Sequence, residues 1–143
     1  KNNDMSYASF FGGVGMAERL ELINKFNNDE VDVLIITSAG GEGIDLKGVR
    51  NIIILDPVWN YAKLKQIIGR GVRYKSHVHL PECDREVNVL KMVLLERDVG
   101  SDWLEVDDPK EMSASGDAIL YRIIEKKRII TNELRKMYET LSI

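Results

Sequence analysis

Two short apolar runs, VLII at residues 33–36 and NIIIL at residues 51–55, constrain this chain more than any other feature. Both are rich in β-branched side chains and too short for buried helices. Each is closed by strand-ending residues, Thr37-Ser38-Ala39-Gly40-Gly41 after the first and Asp56-Pro57 after the second. Uninterrupted apolar character predicts burial on both faces, the mark of parallel strands covered by helices. The flanking pattern agrees. Residues 7–11 read as a strand ended by Gly12-Gly13, and Met16, Leu20, Ile23 and Phe26 recur at helical spacing. That stripe predicts a helix over residues 16–28 with its apolar side in the core and Asn27 and Asn28 as stop residues. The expected class is α/β, with right-handed crossovers and a mainly parallel sheet between helix layers.

Charge is segregated along the chain. No carboxylate occurs in residues 57–81, where Lys63, Lys65, Arg70, Arg73, Lys75, His77 and His79 all fall, so a local anion site is expected there despite a net charge of -3. Gln66-Ile67-Ile68-Gly69-Arg70-Gly71-Val72-Arg73 places two arginines three apart, on one face if the segment is helical. His77 and His79 alternate in a segment read as extended, which predicts opposite faces and no shared metal. Structural or phosphate-facing roles are expected for them.

These motifs resemble a known family. TSAGGEGIDL at residues 37–46 and QIIGRGVR at residues 66–73 resemble motifs V and VI of superfamily 2 helicases and translocases. LDPVWN at residues 55–60 is similar to the D-x-x-W-N element of the chromatin-remodelling, DNA-translocating branch, and residues 69–85 resemble the nucleoside triphosphatases and early transcription factor ATPases of poxviruses and other large DNA viruses. The resemblance covers roughly residues 7–95. It implies the second, C-terminal RecA-like lobe of a two-lobed motor, a three-layer α/β/α domain ending in a long helix, clipped at its N-terminus.

Composition bounds this reading. At 143 residues the chain suits one domain and is too small for a complete two-lobed motor. No apolar run approaches the ~20 residues of a membrane span, and KNNDMSYASF has no signal-peptide core. Cys83 is alone, which rules out an internal disulfide and predicts a reducing, intracellular setting, host cytoplasm or virion if the protein is viral. After Glu86 to Leu95, read as a further strand, residues 96–112 form an acidic loop or insertion. Residues 115–141 then read as a helix capped by Ser113 or Ser115, with Ile119, Ile123, Ile130, Leu134, Met137 and Leu141 on its buried side.

No G-x-x-x-x-G-K-[ST] phosphate cradle exists, so ATP and Mg2+ would be held mainly by an N-terminal lobe that this sequence does not contain. The resemblance then implies that this lobe completes the site. Arg70 and Arg73 match paired arginine fingers, Asp45 the acid on the ribose, Gly43 the close backbone approach, and Gln66 a coupling position. Thr37, Ser38, Ala39 and Gly40 match a nucleic-acid backbone contact, with Ser38 standing where the branch carries a basic residue. Trp59 is read two ways, as strand contact or as core packing. The expected partners are the N-terminal lobe, nucleic acid (double-stranded DNA above all) and transcription machinery, with no membrane. Two other readings stay open: an RNA helicase lobe, or a binding module that does not hydrolyse ATP.

Overall fold

The computed structural model describes residues 5–37, 43–95 and 115–141. Its elements are β1 (Tyr7–Phe10), α1 (Met16–Asn27), β2 (Val33–Ile36), β3 (Asn51–Ile54), α2 (Tyr61–Gly71), a 3-10 turn (Glu82–Asp84), β4 (Asn88–Lys91) and α3 (Gly116–Leu141). The chain divides into two compact units, residues 1–52 with 67–88 and residues 53–66 with 89–143. The acidic segment at residues 96–112, like Ser38, Ala39 and Gly40, lies outside the described residues.

In the first unit β1 and β2 pair in parallel, from Tyr7 opposite Val33 to Phe10 opposite Ile36, with α1 as the crossover. A reciprocal clamp fixes that register. The Asp32 carboxylate accepts from the Ser6 backbone N–H at 2.8 Å and from its hydroxyl at 2.7 Å, while Asp32 N–H donates back to Ser6 Oγ at 3.0 Å. These bonds favour the ionised carboxylate and hold its pKa below the ordinary value, the Ser6 hydroxyl being the larger cause. Phe10, Ile23, Ile44, Leu46 and Val49 form the core, with Leu22, Phe26, Leu34, Ile36 and Ile52 against it.

The strands are buried on one side only. Leu34 and Ile36 reach the core, whereas Val33 and Ile35 are 36% and 50% exposed. Strand geometry sends successive side chains to opposite faces, so an apolar run guarantees one buried face and the neighbours decide the other. The second run departs in the same way: β3 ends at Ile54, which is buried, while Ile53 and Leu55 are exposed. On α1 only part of the expected stripe is inside. Ile23 is buried and Phe26 packs on the core, but Met16 and Leu20 are exposed. Leu22, outside the expected stripe, packs on the core.

β3 and β4 also run parallel, since Asn88 N–H donates to Arg50 O at 2.8 Å and Met92 N–H to Ile54 O at 2.9 Å, advancing together along both strands. In the second unit Asn60 caps the start of α2, its Oδ1 accepting the Lys63 N–H at 2.7 Å. Ser115 caps α3 through Ala118 N–H at 3.3 Å, and the Asp117 carboxylate accepts from Leu94 N–H at 3.1 Å. The α3 stripe is corrected by the structure. Ala118 and Ile124 are its buried residues, Ile119 and Ile123 are exposed, and from Ile129 to Leu141 every residue is exposed. Among the described residues no helix is long and apolar enough to cross a membrane.

Candidate functional site

The site is built where the segment after Gly43 meets the end of α2. Gly43 has φ +73°, a left-handed conformation in which other residues are strained, and it redirects the chain into the alternating segment 44–46. Ile44 and Leu46 are buried, so Asp45 between them is turned outward and exposed. Asn27, the last residue of α1, locks this segment from behind: its Nδ2 donates to Asp45 O at 3.1 Å and its Oδ1 accepts Lys47 N–H at 2.8 Å. The sequence marked Asn27 only as a stop residue. Nothing in it signals this two-sided clamp.

Gly71 lets the end of α2 come close. A Cβ there would lie 3.0 Å from Ile52 Cδ1 and 3.2 Å from Val49 Cγ1. That approach brings Arg70 O within 3.4 Å of Leu46 N–H, a backbone link between the two motif segments. Arg73 then reaches Asp45, its guanidinium nitrogen 3.4 Å from the carboxylate. Residues 28 positions apart thus share one point. The helix ends at Gly71, so Arg70 lies in its last turn while Arg73 lies beyond it, and the two do not share a helical face as expected. The carboxylate-free run is likewise not free of carboxylates in space, since Asp45 sits against Arg73.

Residues 74–80 form turns rather than the extended segment expected, with Ser76 N–H donating to Arg73 O at 3.1 Å and Leu80 N–H to His77 O at 3.0 Å. His77 is buried and structural. His79 lies against Gly48, whose φ is +65° and where a Cβ would stand 3.1 Å from the imidazole Nε2. Thr37 is exposed at the end of β2, its N–H 3.4 Å from Phe10 O. In the second unit Trp59 is 76% exposed, which removes the core-packing reading. Gln66 is exposed on α2. Among the described residues no group of three His, Cys, Asp or Glu could hold a metal ion.

The parallel α/β ladders and the joined Asp45, Arg70 and Arg73 segments agree with what comparison finds: the chain belongs to the helicase conserved C-terminal domain family, which matches residues 1–75. Its fold is the RecA-like α/β fold of that family. Over 143 residues it is 29% identical to L538 of Acanthamoeba polyphaga mimivirus, whose name assigns it provisionally to the ATP-dependent RNA helicases; the alignment takes in all of this chain and 30% of that protein. It is 48% identical over 73 residues to nucleoside triphosphatase I of Choristoneura biennis entomopoxvirus, 47% of this chain and 11% of that protein. For the enzyme of the same name from Amsacta moorei entomopoxvirus the identity is 52% over 63 residues, 44% of this chain and 10% of that protein. The C-terminal part of the Fun30 ATPase domain shares the fold, with a TM-score of 0.53 and 23% identity over 91% of this chain and 41% of that one. The chain thus spans 30% or less of the length of these viral relatives.

Proposed function

We propose that this chain is the second lobe of an ATP-driven nucleic-acid translocase, completing a nucleotide site whose phosphate cradle and Mg2+ ligands lie on a partner N-terminal lobe. The observation that carries the reading is the meeting of Asp45 with Arg73, backed by the Leu46 to Arg70 backbone bond. In this assignment Asp45 and Gly43 face the ribose, Arg70 and Arg73 face the γ-phosphate, and Gln66 couples the nucleotide to the rest of the motif at residues 66–73. Bound Mg2+ would neutralise triphosphate charge. Phosphoryl transfer depends on positioning and charge stabilisation, so guanidiniums delivered from a second lobe raise the rate strongly.

The Asp45 to Arg73 pair gives this lobe a resting state. An ATP molecule separates its ribose from its γ-phosphate by two further phosphates, so the two side chains part when each takes its own end. With side chains 48% and 59% exposed, the pair is worth about 0.2–1 kcal/mol and yields to a phosphate. Thr37, Ser38, Ala39 and Gly40 are assigned the contact to the nucleic-acid backbone, and Trp59, which is exposed, a stacking contact. Duplex DNA is the preferred polymer, on the strength of the D-x-x-W-N element at residues 56–60, with viral transcription in a reducing intracellular compartment as the setting. The mimivirus relative's name favours RNA as a second reading.

ATPase assays of the full-length protein with duplex DNA, single-stranded DNA and RNA test this assignment. Duplex DNA should stimulate turnover most, and the stimulation should fade as salt rises, because phosphate contacts release counterions. Stimulation by RNA alone would overturn the DNA assignment. Rapid ATP hydrolysis by these 143 residues in isolation would overturn the shared-site model.

A further inference from the structure

Arg73 lies past the end of α2, where helix hydrogen bonds no longer hold the backbone, yet the turn around it is fixed from behind. Ser76 and His77 are buried, 5% and 9% exposed. His77 Nε2 lies 2.7 Å from Val49 O, and a carbonyl only accepts, so this nitrogen carries the proton. His77 Nδ1, 2.8 Å from Ser76 Oγ, is left as an acceptor for the serine hydroxyl, whose one proton also lies within reach of Arg73 O, likewise 2.8 Å from Ser76 Oγ. That leaves the Ser76 oxygen lone pairs for the Arg73 N–H at 3.2 Å, while Arg73 O takes the Ser76 N–H at 3.1 Å. Ser76 O in turn accepts Gly48 N–H at 3.0 Å, so the turn is tied to residues 48–49, three and four positions past Asp45.

Two further features show that this geometry is held rather than relaxed. Lys75 has φ +63°, a left-handed conformation that a side chain carrying a Cβ adopts only when its surroundings impose it. Arg85 holds the far side of the turn, its guanidinium donating to Leu80 O at 2.9 Å and Val78 O at 3.3 Å.

We propose that His77 and Ser76 are positioning residues for Arg73: a relay from the Val49 carbonyl through the imidazole and the serine hydroxyl to the Arg73 backbone N–H. The relay sets where the guanidinium starts from when it leaves Asp45 for phosphate. This rests on the reading of Arg73 as a γ-phosphate ligand. Displacement of a catalytic group by about 1 Å costs on the order of 10²-fold in rate, so loss of the relay falls on kcat rather than on nucleotide affinity.

The test uses the full-length protein, with kcat and KM for ATP measured at saturating nucleic acid, single-turnover rates for slow variants, and a melting profile for each. His77→Ala should lower kcat on the order of 10²-fold. Ser76→Ala, which keeps the His77 to Val49 anchor and serves if His77→Ala melts low, should lower it about 10-fold. KM should change little in either. In an Arg73→Ala background both substitutions should cost nothing further, a coupling that mere loosening of the fold would not produce. Wild-type kcat in both single variants, or full losses persisting in the Arg73→Ala background, would overturn the relay while leaving the arginine assignment intact. Near-normal turnover in Arg73→Ala itself would overturn the assignment, and the relay with it.

Discussion

Residues 73–80 turn repeatedly within eight positions and are tied to Val49, Gly48 and Arg85, whereas α3 runs for 26 residues with only Ala118 and Ile124 buried. The turn has no apolar period, and its order comes from donors and acceptors matched across sequence distance. The helix has a regular apolar stripe, and its order comes from its own backbone, the Ser115 cap and local pairs such as Arg128 with Glu125 at 2.7 Å. Periodicity therefore identifies an element without saying what covers it. Buried polar contacts fix a geometry that no periodicity announces.

The largest test of that contrast compares burial on α3 itself. Ile124→Ala should destabilise the chain by about 3 kcal/mol in urea unfolding, because Ile124 is 4% exposed and its removal leaves a cavity. Leu134→Ala, on the expected stripe but 49% exposed, should change stability by less than about 0.5 kcal/mol. Equal losses would mean that the stripe is covered after all.

Glycines near the site sharpen the comparison at intermediate size. Gly48→Ala should cost about 1–2 kcal/mol, from its left-handed φ and from the His79 ring. Gly71→Ala should cost about 1 kcal/mol, since Val49 and Ile52 must give way. Gly69→Ala, two residues earlier on α2 with open space around it, should instead stabilise by about 0.5–1 kcal/mol. Thermal melting of the three variants separates these signs.

The smallest effect is one of pH. Asp32 has a lowered pKa in the folded chain, so its contribution is fully present above the ordinary carboxylate range and is lost as pH falls through the lowered value. Asp32→Asn should flatten that acid limb of the stability profile. An unchanged limb would show that the Ser6 clamp adds nothing to the ladder.

Much of the fold was legible because it follows from local rules. The runs at residues 33–36 and 51–55 did become strands, the strand read at residues 7–11 and the helix read by its spacing at residues 16–28 became β1 and α1, and Ser115 was available as a cap. Burial was less legible, as Val33, Leu20 and Leu134 show, because it depends on neighbours that a period does not name. At the site, motif order pointed to Asp45 and Arg73, and the structure joins them. Asn27 and Ser76 were missed as supports, Asn27 because it acts on backbone groups distant in sequence, Asp45 and Lys47, and Ser76 because it acts within a turn where the sequence reads as extended; His77, for which a structural role was one of the two expected, is held through Val49 O. A histidine beside a serine, just after the arginine motif, was the one usable signal.

In the proposed function Arg70 and Arg73 complete an ATP site shared with another lobe. Its most direct test is nucleic-acid-stimulated turnover of the full-length protein carrying Arg70→Ala, Arg73→Ala, both together, or the corresponding lysines. Each alanine should cut kcat by about 10³ or more with nucleotide affinity little changed, and the double variant should be hardly worse than the more damaging single one. Lysine should rescue little, because it lacks the planar fork that spans two phosphate oxygens. Near-normal turnover in both alanine variants, with unchanged melting profiles, would contradict the account and leave the arginines as a structural clamp.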